Sequence, residues 1–305
     1  MNKVRSLKII SRKSRLALWQ SEYVAKKIKY FFPNIRVQII KINTLGDNLL
    51  NNSLELIESK DLFIKELEHK ILNREVDIAV HSLKDIPHKL HDDLTIGSII
   101  KRDNPFDAFI SLKYKSIEGL PYGSIIGTSS LRRKVQITSY RPDIRVLPIR
   151  GNVETRLKKM IQEKYDAIIL SSAGLIRLNL KYYITKIMPI SMMVPACGQG
   201  IIAIECLKKN QNILKVIQKL QDHETKICCS LERKVISLLN GDCKSPLGIF
   251  AKIKKNTFII NNMVSNYSGN KMFKFNSYYN IKEKNIAQNL SNKLNILGSQ
   301  ELLSK

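Results

Sequence analysis

The sequence predicts an α/β fold made of two similar lobes, followed by a small α+β domain. Strand and helix patterns alternate twice, each time in the order strand, helix, strand, helix, strand. The second round repeats the first in its residues as well as its order, since NIRV is matched by DIRV and VDIAV by YDAII. Alternating strands after residue 246 stand outside this repeat, and they predict a separate C-terminal domain.

Short apolar runs and helically spaced apolar residues define the first lobe. Pro33 stops the first helix, and the asparagine-rich stretch 44–60 predicts a loop. The predicted elements are strands at Leu7–Ser11, Ile35–Ile42 and Asp77–Val80 and helices at Leu16–Phe32 and Asp61–Arg74.

The second lobe follows the same pattern, and both lobes are expected to hold a mainly parallel sheet. Its predicted elements are strands at Ser124–Gly127, Asp143–Ile149 and the start of Asp166–Gly174, with helices at Thr128–Tyr140 and Val153–Lys164. A strand at Ile201–Cys206 and a helix at Asn212–Leu220 then return the chain to the first lobe. The C-terminal domain is expected to hold a helix at His223–Leu239, three strands and a final helix at 281–297.

These elements predict the domain boundaries. We expect the first lobe to comprise residues 1–100 and 201–218, the second lobe residues 106–194, and the C-terminal domain residues 222–305. The segments 101–105 (KRDNP) and 191–200 (SMMVPACGQG) join the lobes and predict a two-strand hinge.

Positive charge is the strongest feature of the composition, with a formal net charge of +25. Lysine, isoleucine and asparagine dominate, so most of this charge is attributed to compositional drift and solvated lysines. Arginine is distributed differently: six of the 14 arginines fall within residues 127–156. Because a guanidinium binds a carboxylate or phosphate through two parallel hydrogen bonds, this cluster predicts a site for a ligand with several negative charges.

The carboxyl ends of the strands predict where that site lies, because ligands of parallel α/β sheets bind beyond those ends. The start of a helix after Thr128–Ser130 adds free backbone N–H groups that favour an anion. We expect one crevice lined by Ser11, Arg12, Lys84, Asp85, Thr128–Arg133, Arg150–Asn152, Ser171 and Ser172.

The five cysteines form no CxxC pair and no cluster with histidine at zinc spacing. The sequence therefore predicts neither a disulfide framework nor a metal site. The N-terminus has no apolar signal region, and no apolar run approaches the ~18–20 residues of a membrane span. A cytoplasmic protein without membrane contact is expected.

Several of these stretches together resemble the porphobilinogen deaminase family, whose members are also called hydroxymethylbilane synthases. The resemblance covers nearly the whole chain and is carried by SRKSRLALWQ, DIAVHSLKDIP, GTSSLRR, RGNVETR, DAIILSSAGLIRL, PACGQG and the Cys243 loop. It implies two lobes similar to type II periplasmic binding proteins and a third domain. The chain departs from the family pattern at Arg15, Leu45, 58–61 and Asp242.

The resemblance implies a transferase of porphyrin (tetrapyrrole and heme) biosynthesis. It would condense four porphobilinogen molecules head to tail with release of ammonia, then hydrolyse off the linear tetrapyrrole. The implied cofactor is a dipyrromethane joined by a thioether to Cys243, and the implied catalytic residue is Asp85. The residues implied to bind cofactor and substrate are Arg12, Ser14, Lys84, Thr128, Ser130, Arg132, Arg133, Arg150, Asn152, Arg156 and Arg177.

Structural roles are expected for other residues. His81 is expected to form a structural hydrogen bond, Trp19 to pack in the first lobe, and Cys228 and Cys229 to pack in a core. Arg141 and Arg145 flank a turn and are expected to be solvated.

Two other functions compete with this hypothesis. A non-catalytic two-lobed anion-binding module would share the lobes and arginines but would need neither Asp85 nor Cys243. A nucleic-acid-binding protein would explain the charge, but the sequence has no helix-turn-helix, zinc finger or RNA-binding aromatic signature. We expect porphobilinogen as the partner, no nucleic acid, and a monomer.

Overall fold

A computed structural model describes residues 4–43, 59–242 and 245–303, with the backbone alone at 59–63 and 163–164. The chain forms two compact units. The first contains Met1–Arg102 and Ile201–Lys226, and the second contains Asp103–Gly200 and Ile227–Lys305. The division into two lobes and a separate C-terminal domain from residue 222 stays a prediction.

Helices and strands alternate through most of the described chain. The helices are α1 Arg15–Phe31, α2 Ser59–Leu72, α3 Leu131–Tyr140, α4 Val153–Lys159, α5 Ser172–Arg177, α6 Gln211–Gln218, α7 His223–Leu238, α8 Ile286–Ile296 and α9 Ser299–Leu303. The strands are β1 Ser6–Arg12, β2 Arg36–Ile42, β3 Ile78–Ser82, β4 Leu94–Ile99, β5 Asp107–Ile110, β6 Ile125–Gly127, β7 Arg145–Leu147, β8 Ala167–Ser171, β9 Lys186–Ile187, β10 Ile202–Leu207, β11 Leu247–Lys254, β12 Thr257–Ser265 and β13 Met272–Asn280.

Two five-stranded sheets confirm the prediction of an α/β fold with two similar lobes. The first sheet, in the first unit, has the order β2-β1-β3-β10-β4, and the second sheet, in the second unit, has the order β7-β6-β8-β5-β9. In each, the first three strands are parallel and the fourth runs antiparallel to the third. A three-stranded antiparallel sheet, β11-β12-β13, follows and is called the C-terminal sheet.

As expected, each sheet is mainly parallel in strand direction, because four of its five strands run the same way and one, β10 or β5, runs against them. Both five-stranded sheets contain two parallel and two antiparallel strand pairs. The sequence reading missed β4, β5 and β9, which lie on the antiparallel side. Two of these strands, β5 and β9, have only four and two residues, which is too short to show a clear apolar alternation.

Equivalent hydrogen bonds show how closely the two sheets correspond. Ser82 of β3 pairs with Ile202, and Ser171 of β8 pairs with Asp107. The next residue after each serine then bonds back: Leu83 N donates to the Ile201 carbonyl at 3.0 Å, and Ser172 N to the Phe106 carbonyl at 3.1 Å. Asp107 therefore occupies, in the second sheet, the position of Ile202 in the first.

Helices cover both faces of each five-stranded sheet. Because neighbouring residues on a strand point to opposite faces, adjacent residues pack against different helices. Ile9 packs with Val24 of α1, while Ile10 packs with Leu67 of α2. In the second sheet, Phe109 belongs to the cluster of α3 and Ala108 to that of α4.

The structure confirms two packing predictions. Trp19 packs against the core of the first unit, and Cys228 and Cys229 are buried.

Candidate active site

The carboxyl end of β1 leads directly into a helix cap. Ser14 has an extended backbone, and its hydroxyl oxygen accepts a hydrogen bond from Ala17 N at 3.4 Å, so it caps α1. Arg12, the last residue of β1, is half-buried. Ser14 thus has a structural role as the N-cap of α1. Ligand binding by Arg12 and Ser14 stays a prediction.

The carboxyl end of β3 presents the predicted catalytic aspartate. Leu83–Asp85 forms one turn of 3-10 helix, and Leu83 and Ile86 on either side are buried. These apolar anchors hold the turn while Asp85 is exposed and Lys84 is half-buried. An exposed carboxylate on a fixed turn is available for proton transfer, as the prediction for Asp85 requires.

A buried acid–histidine pair lies just before that turn. His81 Nε2 is 3.1 Å from Glu205 Oε2, and both side chains are buried. This confirms the expected structural hydrogen bond of His81. Burial raises the pKa of Glu68 in α2, and the nearby charge of Glu205 raises it further, so a second carboxyl belongs to the same cluster.

In the second unit, the predicted anion site begins as a turn, as expected for Thr128–Ser130. Thr128 N donates to the Leu147 carbonyl at 2.9 Å, and the Thr128 hydroxyl accepts a hydrogen bond from Ser130 N at 3.2 Å. The helix starts at Leu131, directly after this turn, as the predicted anion site requires, although the predicted helix element began at Thr128. Ser130 has the extended backbone of an N-cap residue but makes no capping hydrogen bond with its side chain.

The two arginines that open α3 are buried. Asp107 accepts hydrogen bonds from Arg132 Nη2 at 2.9 Å and from Arg133 Nε at 3.0 Å. Burial, the largest influence, lowers the pKa of Arg132; Asp107 opposes that effect, and the adjacent Arg133 adds to it. Both predicted binding arginines thus already have an internal carboxylate partner, and their contact with a ligand stays a prediction.

The RGNVETR motif divides into a structural part and an exposed part. Gly151 has a φ of 113°, and a side chain there would collide with Thr155, so the turn requires glycine. Asn152 Oδ1 caps α4, accepting from Thr155 N and from the Thr155 hydroxyl at 2.8 Å each. Arg156 Nε donates to the Gly151 carbonyl at 2.8 Å, while Arg150 is exposed.

Arg177, at the end of α5, is buried against the two segments at the limits of the second unit. Its Nε lies 3.2 Å from Asp103 Oδ2, and its Nη2 donates to the Gly200 carbonyl at 2.7 Å. Asp103 N also donates to the Gly200 carbonyl. These bonds give Arg177 a structural role, and ligand binding by it stays a prediction.

The expectation that Arg141 is solvated was wrong. It forms a two-bond ion pair with Asp143, at 2.7 Å for each bond, and donates to the carbonyls of Ile117 and Leu120. The guanidinium therefore joins the turn between α3 and β7 to the segment that contains Ile117 and Leu120.

Cys243 lies outside the described residues. Of the cysteines that the structure does describe, Cys206, Cys228 and Cys229 are buried and Cys197 is half-buried. Burial raises the pKa of Cys206 to about 12, which leaves it unreactive. The described residues contain no group of three side chains suited to a metal ion. Within the same ranges, no helix is both long and apolar enough to span a membrane.

Sequence reasoning missed several buried polar residues, among them Asp107, Gln199 and Glu205. Gln199 Nε2 donates to Asp107 Oδ1 at 3.0 Å and to the Pro105 carbonyl at 2.6 Å. The available signal was a lone carboxylate inside an apolar strand, in DAFI and in IAIECL. Charged residues are rarely buried unless they are paired, so such positions predict a partner elsewhere in the chain.

Two family models match the chain. The first, "Porphobilinogen deaminase, dipyromethane cofactor binding domain", matches residues 7–215, and the second, "Porphobilinogen deaminase, C-terminal domain", matches residues 226–296. The chain belongs to the porphobilinogen deaminase family. The first match contains Asp85 and every predicted binding residue, and the second contains Cys243.

Curated porphobilinogen deaminases match along nearly the whole chain. That of Buchnera aphidicola subsp. Acyrthosiphon pisum (strain Tuc7) is 42% identical over 302 residues, covering 98% of this chain and 96% of that protein. That of Francisella philomiragia subsp. philomiragia is 45% identical over 271 residues, covering 89% and 90%. Among solved structures, the methionine-binding protein MetQ matches with a TM-score of 0.47 and 12% identity, covering 75% of this chain and 95% of that one.

Proposed function

We propose that this chain is a hydroxymethylbilane synthase. It condenses four porphobilinogen molecules head to tail, releases one ammonia for each, and then hydrolyses off the linear tetrapyrrole. The observation that carries this proposal is the match of both family models, which together span residues 7–215 and 226–296. The exposed Asp85 on its fixed turn supports it, because an anion-binding module would not need that carboxylate.

The donor set suits a dipyrromethane, whose two pyrroles each carry an acetate and a propionate. Arg150 is exposed, and Arg12 and Lys84 are half-buried at the ends of their strands. The start of α3 adds backbone N–H groups behind Ser130. We assign these groups to the cofactor's carboxylates, and Cys243 to its attachment by a thioether. When bound, the dipyrromethane supplies the pyrrole carbon to which the first porphobilinogen is joined.

Asp85 performs the proton chemistry. As porphobilinogen loses its amine, positive charge develops on its pyrrole nitrogen, and a carboxylate beside that nitrogen stabilises the charge. The acid form of Asp85 donates a proton to the departing amine, and its base form can later accept the proton lost when the new bond forms. The arginines and Lys84 neutralise the carboxylates that accumulate as the product grows.

We place the enzyme in the cytoplasm, where its cysteines stay reduced, and we propose that it works as a monomer with porphobilinogen as its small-molecule partner. Sedimentation at working concentration would test the monomer, and a dimer would contradict it.

Intact mass spectrometry tests the proposed function directly. The purified active protein should be heavier than its sequence by one dipyrromethane, and Ehrlich's reagent should colour it. Cys243→Ala should lose both the added mass and the turnover of porphobilinogen. Cys197→Ala is the matched control and should keep the added mass. An active protein with no adduct, or with the adduct on another residue, would refute the proposal, and an inactive protein with no adduct would favour an anion-binding module.

A further inference from the structure

Asp107 is the hub of a buried polar cluster in the second unit. It is the first residue of β5, and its side chain is fully buried. Besides Arg132, Arg133 and Gln199, which all donate to it, a second nitrogen of Arg133, Nη2, lies 2.8 Å from Oδ1. Both guanidiniums are therefore oriented by one carboxylate that cannot turn towards water.

The remaining bonds of the two arginines go to rigid backbone. Arg132 Nη1 donates to the Val194 carbonyl at 2.6 Å, and Arg133 Nη1 donates to the Ile169 carbonyl at 2.9 Å. Val194 is itself held by Gln136, which donates to its carbonyl at 3.2 Å and accepts from its N–H at 2.8 Å. Since a guanidinium carries five N–H donors, each arginine is fixed on one side and keeps further donors for a ligand.

The charges in this cluster do not balance. Two guanidiniums share the carboxylate of Asp107, and within the described part of the chain neither arginine forms an ion pair with a second carboxylate. One positive charge is left over in a buried setting, where a charge interacts more strongly than in water. A bound carboxylate would complete the pairing.

The first unit provides an internal comparison. Counted from the helix caps Ser14 and Ser130, Leu16 and Ala17 of α1 hold the positions of Arg132 and Arg133 in α3. Ile202 holds the position of Asp107 through the equivalent pairing with Ser82. All three positions are apolar in the first unit and charged in the second. The aspartate is therefore present in the unit that has the two arginines and absent from the equivalent position of the unit that does not.

We propose that Asp107 is a positioning residue that orients Arg132 and Arg133 towards the carboxylates of the cofactor and substrate and keeps their combined charge at one. Asp107 acts through the arginines and does not contact the ligand. The assignment of the ligand rests on the proposed function. The orientation of the arginine pair rests on the contacts above.

Three variants separate positioning from stability. Asp107→Asn keeps the shape but removes the charge, and Asp107→Glu keeps the charge but lengthens the side chain. Asp143→Asn is the matched control, because it breaks another arginine–aspartate pair of the same unit, that of Arg141. For each, we would measure the melting temperature, kcat and KM for porphobilinogen, the fraction with adduct by intact mass, and calorimetric binding of citrate as a tricarboxylate probe.

We expect Asp107→Asn to raise KM about tenfold and to weaken citrate binding by a similar factor, with a smaller change in kcat. A tenfold change is roughly the effect of losing one charge-assisted hydrogen bond. Asp107→Glu should recover part of both. Asp143→Asn should lower the melting temperature while KM and citrate binding stay at wild-type values.

Wild-type KM and citrate affinity in Asp107→Asn, with only a lower melting temperature, would overturn the proposal and leave Asp107 a purely structural residue. If Asp107→Asn does not fold, Asp107→Glu decides in the same way, because unchanged KM and citrate affinity there would also overturn it. If the wild-type protein fails to consume porphobilinogen, the proposed function fails, and the citrate measurement still decides the role of Asp107.

Discussion

The two five-stranded sheets share their strand order, yet the polar side chains buried in them differ. The first sheet buries a carboxylate against a histidine, with Glu205 Oε2 3.1 Å from His81 Nε2. The second sheet buries Asp107 against two arginines, Arg132 and Arg133. The repeated backbone therefore specifies where polar groups can lie, and substitutions at a few positions decide what each unit contributes.

The same difference extends to the exposed residues at the strand ends. Counted from the equivalent serines Ser82 and Ser171, Lys84 and Asp85 of the first unit correspond to Ala173 and Gly174 of the second. The second unit has no carboxylate at the place where the first presents its predicted catalytic group. Proton transfer is thus assigned to one repeat and most of the guanidinium charge to the other.

The largest effect is expected when the second unit is made to resemble the first. Arg132→Leu installs the residue type that Leu16 provides at the same helix position. We expect the variant to lose the adduct in intact mass, and with it turnover, because the cofactor's carboxylates lose a fixed partner. The fold should survive at a cost of about 1–3 kcal/mol, since Asp107 keeps Arg133 and the Val194 carbonyl keeps Gln136.

Arg145→Leu is the matched control for that experiment. Arg145 is an exposed arginine on β7 of the same unit, so its loss should leave adduct and turnover intact. Denaturant unfolding would measure the stability of both variants. A fully loaded and active Arg132→Leu protein would contradict the assigned role.

Removing the carboxylate of Asp85 should reduce turnover without affecting the fold or the attachment of the cofactor. Asp85→Asn keeps the size of the side chain, and the buried Leu83 and Ile86 still hold the turn. We expect a normal adduct and melting temperature, with turnover lowered by about 10²–10⁴-fold, the usual range for loss of a general acid–base group. Asp92→Asn, at an exposed aspartate of the same unit, should be close to wild type. Turnover near the wild-type value in Asp85→Asn would refute its catalytic assignment.

The positions of these residues were predictable because strand ends are a local property. Apolar runs such as IAVHS locate β3, so the turn that carries Asp85 follows from the sequence next to it. The caps of α1 and α4 are equally local, since Ser14 and Asn152 bond to residues three positions ahead.

The partners of those residues were not predictable. Asp107 of β5 accepts hydrogen bonds from Arg132 and Arg133 of α3. His81 contacts Glu205, which lies 124 positions further along the chain. Such pairs depend on the strand order, and the sequence predicted neither the strand β5 nor the position of β10 beside β3. A sequence pattern can indicate that a buried carboxylate needs a partner, but the tertiary fold decides which one it has.

The smallest predicted effect concerns the acid cluster of the first unit, formed by Glu68 and Glu205. Burial raises the pKa of Glu68 above its ordinary 4.5, Glu205 raises it further, and His81, His91 and Lys65 oppose the shift. The folded state then binds a proton more tightly than the unfolded state, so Glu68 lowers stability as the pH rises from 4.5 through its folded pKa. Glu68→Gln should therefore match the wild-type melting temperature near pH 4 and exceed it near pH 7.

Glu75 offers a control of opposite sign in the same unit. A hydrogen bond from Lys70, followed by one from Asn73, lowers the pKa of Glu75, so its contribution to stability is present above pH 4.5 and is lost as the pH falls. Glu75→Gln should therefore melt below the wild type near pH 7 and approach it in acid. Melting curves of both variants across this range would show opposite trends if burial dominates at Glu68. A parallel fall for both variants would mean that Glu68 is stabilised in its charged form by its neighbours, and that the first unit does not hold a titrating acid cluster.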